Sequence, residues 1–293
     1  MKMSFHIFKN KTIQGMLSMV LAMIVFALVN LFVKDTVQRY SIIQVVFFRC
    51  FFMLPPVVFA MIKMPHFTFK SFQMKRHILC GITGFIGLYC LYYALRSLPL
   101  AEVTTLCFTS IFFVTLFGAF FLKESANRSQ WIAVITGFMG VIVIAQPGQD
   151  LFEGGLIYAL LFSVIDAFIM INARILTRHD SSYLVVFYFS LFSSVLGLFF
   201  LPIAWTTPTF PDLLKLICLG IAGGVGQILI TKAYSLAEAA FVAPMIYTAI
   251  LWNILFGFVL FSERPTLRLI IGSLIIMSCG LLILRESLKR KDT

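Results

Sequence analysis

AEVTTLCFTSIFFVTLFGAFFLKE, residues 101–124, and AFVAPMIYTAILWNILFGFVLFSE, residues 240–263, align without a gap at an offset of 139. Identical positions are Ala101/Ala240, Val103/Val242, Thr109/Thr248, Ile111/Ile250, Leu116/Leu255, Phe117/Phe256, Gly118/Gly257 and Glu124/Glu263. Shared apolar composition does not account for a glutamate recurring in register in so charge-poor a background. The chain is a set of membrane segments written twice. Duplicated membrane halves are the usual architecture of carriers, which hold their ligand between the copies.

Composition supports the membrane reading. Of the 293 residues 60% are hydrophobic and only 12% charged, with mean hydropathy +0.99. A soluble domain is about 45–50% apolar and about 25% charged. The net charge of +11 does not point to nucleic acid, because the basic residues sit in short connectors between apolar runs, as membrane orientation requires. Cys50, Cys80, Cys90, Cys107, Cys218 and Cys279 all fall in apolar stretches without a CxxC pair, so they read as packing residues. No metal site and no cofactor is expected. The first apolar run, Ile13–Val33, is longer than a signal-peptide core of about 7–15 residues and reads as an anchor.

Apolar windows fall at 13–33, 42–62, 78–98, 101–121, 129–146, 154–173, 183–203, 213–235, 240–261 and 268–284. The fold class is therefore all-α integral membrane, with ten transmembrane helices. With a cytoplasmic N-terminus, sixteen Lys and Arg lie on the cytoplasmic side and six outside, so both termini are expected in the cytoplasm. The repeat extends beyond the opening match: Gly84 and Gly87 map to Gly223 and Gly226, and Lys34 maps to Arg174 one residue out of register. Each copy holds five spans. An odd number makes the second copy enter from the opposite side, so the chain divides into two inverted five-helix repeats, 1–146 and 147–293.

Few residues are candidates for chemistry. Asp166 sits about twelve residues into the sixth span, near mid-membrane by helical rise. Buried ionisable groups are expensive and are functional candidates for that reason. It would bind a cationic group or accept a transported proton, or else make a structural hydrogen bond. Arg49, in the second span, would bind an anionic group, pair with Asp166, or snorkel to the outer interface. Asn30, Thr109, Ser110, Gln227 and Asn253 either bind ligand or join helices. Tyr89, Tyr247 and Trp252 suit a planar or cationic organic ligand, whereas Tyr92 and Tyr93 read as interfacial. Lys232 serves orientation. The glycines at 81, 84 and 87, and at 220, 223 and 226, clear one helix face for close packing. Pro244 should bend the ninth span. Glu124 and Glu263 each close a span and are expected to cap the next helix. The four histidines, His6, His66, His77 and His179, fall in the tail or in cytoplasmic loops.

Ten spans in a five-plus-five inverted repeat, with the fourth ending FLKE and its mate FSE, resemble the drug/metabolite transporter superfamily, EamA type. The resemblance covers nearly the whole chain. It implies a bacterial inner-membrane carrier of small organic metabolites with a central cavity between the halves. KAYSLAEAAFVAPMIY, residues 232–247, together with Asp166, resembles the S-adenosylmethionine uptake carriers. Those carriers often have a proline in span four where this chain has Ile111, so a bend matching that at Pro244 is not expected in the first half.

The expected function is secondary transport by alternating access of an S-adenosylmethionine-like or other cationic or aromatic solute. Export of amino acids, riboflavin or drugs on the same fold is the alternative. The chain has no P-loop. A membrane-embedded transferase lacks its clustered carboxylates or histidine pair, so the chain is not read as an enzyme. The expected partners are a small organic solute and the lipid bilayer, not nucleic acid, with the protein a monomer or homodimer.

Overall fold

The computed structural model describes residues 2–64, 68–121, 127–145 and 155–289. Among the described residues, ten helical stretches are long and apolar enough to cross a membrane. With no water in the hydrocarbon to satisfy backbone groups, a spanning segment must close its own hydrogen bonds, and these segments do so as helices. The first three spans are α1 (Lys2–Thr36), α2 (Ile42–Ile62) and α3 (Met74–Ser97). Span four is two helices, α4 (Leu100–Cys107) and α5 (Ser110–Phe121), and span five is α6 (Arg128–Ala145). Spans six to eight are α7 (Gly155–Leu176), α8 (Ser182–Ala204) and α9 (Phe210–Leu236). Span nine is again composite: a short α10 (Ala239–Val242), a 3-10 turn (Ala243–Tyr247) and α11 (Thr248–Phe261). Span ten is α12 (Leu267–Lys289).

The packing carries the repeat into three dimensions. Exchanging spans one to five with six to ten turns the contact of α1 with α9 into that of α7 with α3, and both exist. Likewise α2 packs on α9 as α8 packs on α3, and α1 on α11 as α7 on α5. The pairs α2 with α8 and α6 with α12 map onto themselves, as contacts across a pseudo-two-fold axis must. The glycines allow these approaches. A Cβ at Gly81 would overlap Phe192 of α8, and one at Gly220 would stand 2.5 Å from Phe52 Cβ of α2.

Each face of the bundle is stapled at the matching place. On the face that carries Lys34, the Tyr40 hydroxyl donates to Asp212 at 2.9 Å. Beside it the Gln44 amide donates to Thr206 O at 2.8 Å and accepts from Thr206 N at 2.9 Å. On the opposite face, Ser71 Oγ donates to Asp180 at 2.6 Å and His77 Nε2 lies 2.9 Å from the same carboxylate. His77 therefore differs from expectation. It belongs to the first turn of α3 and is fully buried, because Asp180 and the Tyr188 ring, 4.8 Å away, enclose it.

Candidate functional site

Two broken spans meet in this molecule. Pro244 breaks the ninth, as expected, by lacking the N–H that an α-helix needs there. The fourth breaks without a proline. Around Phe108 the backbone switches to tighter bonds, Phe108 N to Thr105 O at 3.2 Å and Thr109 N to Leu106 O at 3.0 Å. A threonine hydroxyl shares one of these carbonyls: Thr109 Oγ1 donates to Leu106 O at 2.7 Å, while one turn back Thr105 Oγ1 donates to Ala101 O at 2.8 Å. Thr248, the repeat mate of Thr109, donates to Met245 O at 2.7 Å at the second break. The two breaks touch, with the Phe108 ring 4.9 Å from that of Tyr247.

Asp166 sits at this junction. Ser110, the first residue of α5, and Cys107, the last of α4, lie beside it on the two sides of the break. Ser163, one turn earlier on α7, donates to Leu106 O at 3.0 Å and so helps satisfy the carbonyl at the break. Ser163 and Cys107 were missed in the sequence. The signal available was Ser163 lying three residues before Asp166, on the same helix face.

Asn30 and Asn253 are also brought together. Asn30 Nδ2 donates to Asn253 Oδ1 at 3.4 Å, and Asn253 Nδ2 donates to Ala249 O at 2.8 Å. The pair bridges the halves through α1 and α11. Tyr247 is buried, and a Cβ at Gly280 of α12 would overlap its hydroxyl. Trp252 has its indole Nε1 buried without a hydrogen-bond partner. Tyr89 is half-buried beside the Tyr93–Tyr158 stack, whose centroids are 4.0 Å apart. Gln227 is half-buried on α9, and among the described residues its side chain makes no hydrogen bond. Lys232 is exposed.

Arg49 behaves differently from two of its readings. It does not snorkel: only 8% of it is exposed, and Nη1 reaches Met53 Sδ at 3.1 Å, along the helix away from the near membrane face. It does not pair with Asp166 either, whose charged neighbourhood lacks it. Tyr92 is likewise not interfacial. It is 1% exposed and lies near Arg49, with its hydroxyl unpartnered.

Glu263 does cap a helix, but the helix is α4 rather than the next one. Oε2 accepts from Leu100 N at 2.9 Å, while Oε1 takes an ion pair from Lys34. Ser262 turns with φ 55° to fold the carboxylate back over Gly257, where a Cβ would stand 2.5 Å from it. Glu124 lies outside the described residues.

The profile of the EamA-like transporter family matches residues 13–146 and again residues 153–285. The chain belongs to the EamA-like transporter family. Its function is accordingly transport of a small metabolite across a membrane, and it is not an enzyme. Among the relatives of this EamA-like chain is the pseudopaline exporter CntI of Pseudomonas aeruginosa (strain UCBPP-PA14), 28% identical over 90% of this chain and 94% of the relative. The S-adenosylmethionine uptake transporter of Rickettsia bellii is 27% identical, covering 90% and 92%. An uncharacterized transporter of Helicobacter pylori (strain 26695) is 26% identical, covering 97% and 98%. A chain of known crystal structure superposes with a TM-score of 0.65 over 97% of this chain and 99% of that one, at 16% identity, a likeness of fold alone.

Proposed function

We propose that this EamA-like chain is a bacterial inner-membrane carrier, with both termini cytoplasmic, that moves a small organic cation by alternating access between its halves, 1–146 and 147–293. The single observation that carries the reading is Asp166 placed with Ser110 at the meeting point of two broken spans. Broken helices near mid-membrane free backbone groups for a ligand, and a carboxylate beside them supplies the charge. With it, Asn30, Arg49, Tyr89, Thr109, Gln227, Tyr247, Trp252 and Asn253 make up the proposed binding set. An S-adenosylmethionine-like sulfonium fits a carboxylate flanked by aromatic rings, and the name of the rickettsial relative supports that class. Asp166 is also the group proposed to carry a coupled proton. Export is the second reading, favoured by the name of the Pseudomonas relative. The protein works as a monomer or homodimer.

Uptake of radiolabelled S-adenosylmethionine into proteoliposomes tests the reading. Asp166→Asn should reduce the rate by about tenfold or more, the loss of one strong charge-assisted contact. An unchanged rate and pH dependence would remove Asp166 from the mechanism.

A further inference from the structure

Arg49 is the cation of the proposed set, and it has no counter-charge among the described residues. The residue is more than nine-tenths buried. Among the described residues no carboxylate lies within ion-pair distance of it, and its side-chain hydrogen bond goes to the thioether of Met53. A few residues away in space the Tyr92 hydroxyl is also buried and unpartnered. The room for the guanidinium comes from Gly223 of α9, where a Cβ would stand 3.0 Å from Arg49 Cζ and Nη1. An isolated buried charge is strongly unfavourable, and in a membrane interior such a group marks a ligand path.

We propose that Arg49, its guanidinium seated against Gly223, and Tyr92 form a well for the carboxylate of the transported solute, separate from the Asp166 junction. A guanidinium fork matches the two oxygens of a carboxylate, and Tyr92 offers a third donor. One fixed positive charge balances one carboxylate, whereas a doubly charged phosphate would bring an uncompensated negative charge into the bundle. The solute therefore carries a carboxylate for Arg49 and, on the carrier reading above, a cation for Asp166. This inference rests on that reading for the solute but not for the character of the well.

Two measurements test it. In ligand-free protein, Arg49→Met should raise the melting temperature, because it removes a buried charge that nothing compensates, while Arg49→Lys should not. A melting temperature for Arg49→Met equal to or below the parent would show a structural arginine and overturn the assignment. Binding is then compared for pairs that differ only by the carboxylate: S-adenosylmethionine with its decarboxylated form, and histidine with histamine. The parent protein should prefer the carboxylate member of whichever pair binds by about tenfold or more. Arg49→Met should abolish the preference, and Tyr92→Phe should narrow it. Equal affinity of the parent for both members would overturn the proposal. If neither pair binds, the solute reading fails, and the ligand-free melting temperatures still decide the well.

Discussion

Lys34 and Glu263 stand 229 positions apart in the chain and meet on one face of the bundle, where Lys34 also donates to Leu98 O at 2.7 Å. Their side chains are only 13% and 16% exposed, so water screens the pair far less than it would a surface pair. Glu263→Gln weakens both the ion pair and the acceptor for the α4 N-terminus. The expected loss is about 1–3 kcal/mol of stability, read from thermal or chemical unfolding. A double-mutant cycle with Lys34→Gln should return a coupling of about 1–2 kcal/mol. A coupling near zero would reduce the contact to a proximity. The Glu124/Glu263 identity made this residue legible as important. Which helix it caps was not legible, because the cap depends on the left-handed Ser262 and on α4 lying alongside α11, neither of which leaves a local signal.

At the scale of elements, the two broken spans obey different chemistry. Pro244 interrupts span nine by covalent structure, and Pro244→Ala restores an N–H and a helix-compatible residue. The variant should be as stable as the parent or more so, yet transport more slowly, since the junction at Tyr247 straightens. Measuring uptake rate and melting temperature on the same preparation separates the two effects, and unchanged uptake would show that the break is incidental. Span four breaks without a proline, where the Thr109 hydroxyl shares the Leu106 carbonyl with its own N–H. Proline counting misses that break, although Thr109/Thr248 was among the opening identities. The glycine faces are more easily read. Gly81→Ala and its mate Gly220→Ala insert a Cβ where α8 and α2 already stand. Each should cost about 1–3 kcal/mol by overpacking, seen as a lower melting temperature. A neutral result would mean that the helix pairs are looser than described.

For the whole molecule, the packing pairs occur as mates, so a motion available to one half is available in mirrored form to the other. Toward the Lys34 face, α1 is tied to α11 by Asn30 with Asn253 and to the residue just beyond span nine by Lys34 with Glu263. Alternating access requires these to part. A protein carrying Lys34→Cys and Glu263→Cys should lose transport when the pair is bridged by a bifunctional methanethiosulfonate and regain it on reduction. Full transport by the cross-linked protein would place the moving contacts elsewhere.

Membrane insertion, the number of spans, the duplication and its inversion were all legible in the sequence. They follow from hydropathy, charge and self-similarity, which are sums or matches over residues near one another along the chain. The sequence also singled out Asp166, since a charge inside an apolar run stands out without any fold. It could not say that Ser110 faces Asp166 while Arg49 stands apart with Tyr92. Those relations depend on how far each helix is rotated about its axis and on which helix lies beside it. Close packing between distant segments decides both, so only the tertiary structure could separate one charged candidate from the other.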